Sequence, residues 1–138
     1  DIDIVSPELL PDAFEEAVKV TADYFGLKPG WINQAPIDLL KMGLPEGFHS
    51  RCTKLGFDSP LLFCLASRID QIHFKLYAAI DRGGYHLQDL VALEPSDDEL
   101  IAAATWCLTH DVSEPFRHIT KDFLERNGWR NVAQRVFP

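Results

Sequence analysis

The chain has 138 residues, of which 46% are hydrophobic, 25% charged and 11% aromatic, proportions that exclude a disordered or fibrous protein. Its net charge of −8 repels nucleic-acid backbone and excludes generic DNA coating. No apolar run approaches the roughly 18 residues that a membrane helix needs, so no interaction with a membrane is expected. The three cysteines are odd in number and lack CxxC spacing. They read as reduced thiols of a cytoplasmic protein, with Cys64 and Cys107 expected in the core. None of the five histidines forms a ligand-spaced pair with a cysteine, so zinc is not expected.

The first residues, DIDIVS, alternate with the period of a half-buried strand, and Pro7 and Pro11 mark the loop after it. PDAFEEAVKVTADYFG has apolar residues at helical spacing, early acids and a closing Gly26, which predicts an amphipathic helix. A turn-rich stretch follows, with a short helical turn around Ile37–Met42. SRCTKLGF and PLLFCLAS read as two strands around an Asp58-Ser59-Pro60 turn, the second apolar enough to be buried on both faces. Everything beyond is helical. Ser67 caps a helix over Arg68–Asp81, RGG breaks it, and a helix over His86–Leu93 stops at Glu94-Pro95. Ser96 and Glu99 form a capping box for DDELIAAATWCLTH. Ser113 and Pro115 start EPFRHITKDFLERNG, closed by Gly128, and a last helix spans Trp129–Val136. The fold class is therefore α+β, a small mixed β-sheet packed with helices in the N-terminal half and a helical C-terminal half. It is expected as one domain over 1–138, with the sheet in 1–66 and the helices in 67–138.

Two clusters carry chemistry. Residues i and i+2 of a strand share a face, so Asp1 and Asp3 stand side by side with Ile2 and Ile4 turned to the core. Paired carboxylates repel and require cations, and hard oxygens of this kind suit Mg²⁺, which keeps positions open for water and substrate phosphate. Two such ions clamp an in-line phosphoryl or nucleotidyl transfer. The competing reading is an exposed polar strand edge.

The second cluster is SRIDQIHFKLYAAIDRGGYHLQDL, in which Ile69, Ile72, Leu76, Ala79 and Ile80 share one helix face. Arg68, Lys75 and Arg82, at heptad spacing, line one flank of that face. Lys75 stands about 60° from the line of Ile72, half-buried, so it is paired, directed into a cleft or snorkelling. A positive flank suits a triphosphate. Asp89 lies past the glycine break, one turn after His86, and is a base or the partner of Lys75. A third polar group, Thr109, His110 and Asp111, ends a helix and reads as local capping; no nucleophile-elbow pattern supports a hydrolase triad.

The order of these residues, DIDIV, then RIDQIHFKLYAAIDR, then HLQDL, resembles the nucleotidyltransferase superfamily with the DNA-polymerase-beta-like fold. Within it the chain is most similar to the AbiEii toxin-like group, over essentially its whole length. The resemblance implies that Asp1 and Asp3 bind Mg²⁺, up to two ions, and that Lys75 and Arg82, with Arg68 on the same flank, contact the NTP. It also implies that Asp89 is a catalytic residue that activates or positions the acceptor, which is a protein, an RNA end or a small molecule. The family's glycine-rich, phosphate-cradling turn should stand just before Asp1, where this sequence has none. With no initiator Met either, the chain is expected to be a fragment of a slightly longer protein. PLLFCLAS supplies no third carboxylate, and Asp58 on the preceding turn is a poor substitute. Two functions follow as expectations. One is a Mg²⁺-dependent nucleotidyltransferase using an NTP; the other is a catalytically degenerate module of the same fold that binds a protein partner, as in toxin–antitoxin pairs.

Overall fold

The structure, a computed structural model, describes residues 2–36, 38–56 and 61–138. Asp1, Ile37 and the turn at Asp58-Ser59-Pro60 lie outside the described residues. The chain folds as two compact units, Asp1–Leu44 and Pro45–Pro138.

In the first unit, β1 (Ile2–Asp3) runs parallel to β2 (Ile32–Asn33), with Ile2 opposite Ile32 and Asp3 opposite Asn33. The connection between them carries α1 (Asp12–Phe25), as a parallel pairing requires. Pro11 precedes α1, acids fill its first turn, and Gly26 closes it at a φ of 64°, a conformation other residues rarely adopt. Trp31 Nε1 donates to Val18 O at 3.2 Å, anchoring the return loop on α1. Gln34 Nε2 donates to Pro7 O at 2.8 Å and so ties the end of β2 to the loop after β1. A short helix, α2 (Asp38–Met42), follows. Ile2 is 53% exposed rather than turned into a core, because a two-residue strand with one neighbour has too little cover.

The second unit begins with a short helix, α3 (Phe48–Arg51), and a hairpin of β3 (Thr53–Gly56) with β4 (Leu62–Leu65). The hairpin is antiparallel, with Lys54 opposite Cys64. The architecture is α+β, but the described strands form two separate pairs, one in each unit, rather than a single mixed sheet. β4 is not buried on both faces. Leu62 and Leu65 are about half exposed and Cys64 is exposed, since a ribbon with one partner strand leaves most of its surface uncovered.

Five helices form the body of this unit: α4 (Arg68–Arg82), α5 (Tyr85–Ala92), α6 (Asp97–His110), α7 (Glu114–Arg126) and α8 (Arg130–Val136). Their starts follow the sequence chemistry. Ser67, Ser96 and Ser113 each accept a backbone N–H at the N-terminus of α4, α6 and α7, and Ser96 with Glu99 completes a capping box. The core joins Ile72 and Leu76 of α4, Leu90 of α5, Leu100, Ala103, Ala104 and Cys107 of α6, Leu124 of α7, and Val132 and Ala133 of α8. The alanines let α6 lie close against both α4 and α8. Burial pushes the Cys107 thiol up to about 12, so it stays protonated and acts as a small apolar side chain. No described helix is long and apolar enough to cross a membrane.

Candidate functional site

The helical unit positions four of the expected site residues on α4 and α5. Gly83 and Gly84 reverse the chain between these helices at φ values of 64° and 63°, which glycine adopts without a Cβ penalty. The reversal lays α5 against α4 and brings Asp89 to Lys75, with Lys75 Nζ 2.6 Å from Asp89 Oδ2. Both groups reach solvent, the Lys75 side chain being 31% and that of Asp89 45% exposed. Asp89 therefore stands where it pairs with Lys75.

The two arginines of the flank diverge. The Arg68 guanidinium donates from Nε to Leu93 O at 2.8 Å, from Nη2 to Glu94 O at 2.7 Å and from Nη1 to Glu99 Oε1 at 2.6 Å. It thereby clamps the link from α5 to α6, and the hydrogen bonds to Glu99, with its charge, raise the Arg68 pKa in return. The Arg68 fork, helped by the Ser96 backbone N–H, lowers the Glu99 carboxyl from 4.5 to about 2. Arg82, at the far end of α4, is 69% exposed and meets Asp81 at 3.3 Å. Heptad spacing thus places three cations on one flank, but the loop beyond α5 draws the first into a structural role.

Asp3 belongs to the first unit. Ladder bonds from Ile2 N to Trp31 O and from Ile4 N to Asn33 O, each 2.7 Å, fix the register of β1 and leave the Asp3 side chain exposed. Its carboxylate has no cationic partner among the described residues, and Asp1 lies outside them. Its oxygens are of the hard type that Mg²⁺ prefers, though a lone exposed carboxylate does not by itself make a cation site. Among the described residues, no cluster of three or more His, Cys, Asp or Glu side chains gathers around one point.

The polar group at the end of α6 caps its surroundings. Thr109 Oγ1 donates to Trp106 O at 2.7 Å, and Asp111 Oδ1 accepts from Ser113 N at 2.9 Å; hydrogen bonding by the Ser113 side chain, and then by its backbone, lowers the Asp111 pKa. The His110 ring packs edge-on against Trp106, with centroids 4.3 Å apart.

Sequence reasoning missed the most deeply buried charge. Asp70 is wholly buried in the first turn of α4, where it accepts Ser67 Oγ at 2.5 Å. Arg51 of α3 reaches the same carboxylate with Nη2 at 2.5 Å and Nε at 3.2 Å, a two-pronged charge-assisted contact. That contact is the main reason the Arg51 pKa is raised. An acid three residues after a capping serine signals a helix start and nothing more; its partner lies 19 residues away.

A scan against protein-family models, a search of curated proteins and a search of solved structures each find no match to the chain.

Proposed function

We propose that the protein is a Mg²⁺-dependent nucleotidyltransferase. The observation that carries this reading is the Lys75–Asp89 pair, a solvent-accessible cation and carboxylate set side by side on consecutive helices. Lys75 and Arg82 are assigned the triphosphate and Asp89 the acceptor; Asp1 and Asp3 are assigned the metal on the sequence motif alone. The ordered sequence motif DIDIV, FKLYAAIDR and HLQDL supports the same assignment. Bound Mg²⁺ would supply charge neutralisation at the transferring nucleotidyl group and its pyrophosphate leaving group. The protein's own part is positioning: Lys75 holds phosphate oxygens as a point charge, and exposed Arg82 adds a second cation from the same helix. The test is transfer of label from each of the four NTPs with Mg²⁺, comparing wild type with Asp3→Ala. Wild type transfers label and the variant loses it. Equal inactivity of both, with no NTP binding by calorimetry, overturns the reading.

A second reading, binding to a protein partner without catalysis, is favoured by the hairpin, where Leu55, Leu61, Leu62 and Leu65 are 41–53% exposed. Retention of a stable partner by wild type and by the Asp3→Ala variant alike, without nucleotidyl transfer, supports it.

A further inference from the structure

An anion that binds at Lys75 must share the ammonium with Asp89. Its ammonium lies 2.6 Å from Asp89 Oδ2, and Asp89 is the one partner the structure gives it among the described residues. A phosphate group arriving at Lys75 therefore competes with a carboxylate already in place and meets that carboxylate's charge. Both side chains are partly open to solvent, so the exchange needs no rearrangement of the core. The backbone that places Asp89 turns at Gly83 and Gly84, with φ values of 64° and 63°. From this geometry we infer that Asp89 is a counter-ion latch: it occupies Lys75 in the free protein and sets a threshold that only a multiply charged ligand overcomes. Monophosphates, with less charge to offer, stay below it. The inference rests on the nucleotidyltransferase reading for its ligand class, a polyphosphate, and adds selection by charge at the same site.

The experiment is calorimetric titration of the whole chain with inorganic tripolyphosphate and with inorganic phosphate, in EDTA and again in Mg²⁺. The variants are Asp89→Asn, Asp89→Ser, Lys75→Gln and the Lys75→Gln/Asp89→Asn double variant, each checked for native circular dichroism. Removing the carboxylate both frees the cation and deletes a repelling charge, so either Asp89 variant binds tripolyphosphate about tenfold tighter in EDTA, which is about 1.4 kcal/mol. The variants also gain measurable binding of inorganic phosphate. With Lys75→Gln in place, the Asp89 change has little further effect, because the latch acts through Lys75. Unchanged or weaker tripolyphosphate binding by both Asp89 variants overturns the latch. So does weakening seen only in Mg²⁺, which makes Asp89 a metal-facing carboxylate. Tighter binding in the variants with no nucleotidyl transfer by wild type keeps the latch and removes the enzyme reading. Transfer by wild type with unchanged affinity in the variants removes the latch alone.

Discussion

Arg51→Ala isolates the buried charge at the start of α4. In the native protein the wholly buried Asp70 carboxylate accepts two bonds from Arg51 and one from Ser67. Truncating Arg51 leaves that carboxylate with the Ser67 hydroxyl and no cation. Breaking a buried pair by removing one partner costs about 3–5 kcal/mol, and the lower end applies here because the Arg51 side chain is 31% exposed and water enters its place. Arg51→Ala is therefore expected to destabilise the helical unit by about 3 kcal/mol, including its lost bond to Glu46 O. Asp70→Asn removes the charge that needs the cation, so adding it to Arg51→Ala restores part of the loss. Urea denaturation followed by circular dichroism at 222 nm and by tryptophan fluorescence reads all four corners of the cycle. Raising the salt concentration leaves most of the coupling in place, because Asp70 is shielded from solvent. A loss below about 1 kcal/mol for Arg51→Ala would refute the assignment, placing the pair with ordinary surface ion pairs. Additive single losses would refute it equally, since they mean that the two side chains do not act together.

The Glu99 carboxyl is held at about 2, below its ordinary 4.5, so the unfolded chain takes up its proton first as the pH falls. Its contribution is fully present above about pH 5 and disappears as the pH falls towards 2; the urea midpoint of Glu99→Gln varies less with pH over that window than wild type does. Thiol reactivity separates the three cysteines: Cys64 on the exposed ribbon is labelled by a disulfide reagent at neutral pH, Cys52 more slowly because burial raises its pKa, and Cys107 only in denaturant. Mass spectrometry of labelled peptides gives the order.

The helices were legible because their signals are local. Ser67, the Ser96–Glu99 box and Ser113-Glu114-Pro115 each announce a helix start within a few residues, and each helix starts there. The hairpin was legible as two strands, but its burial was not. A run such as Leu61–Leu65 states that side chains are apolar, not how many neighbouring strands exist to cover them. α3 escaped because four residues give no periodicity, although Gly47, at a φ of 76°, and buried Phe48 mark its start. At the candidate site, heptad spacing placed Lys75 on one flank with Arg68 and Arg82, and the glycine break returned Asp89 to it. The fate of Arg68 was not visible, because its acceptors are two carbonyls and a carboxylate 25 to 31 residues ahead. Long-range pairing of this kind depends on the packing of finished helices, which no local window contains.

Arg68 also changes how the helical unit comes apart. The first turn of α4, the end of α5 and the first turn of α6 all meet at one guanidinium, which spans Leu93, Glu94 and Glu99. Helix ends normally fray one at a time on fast timescales, but these three are fastened together, so opening one breaks the bonds of the others. The linker through Glu94, held at a φ of 49°, is caught in the same knot. Local opening at the three ends is therefore expected to be coupled rather than independent.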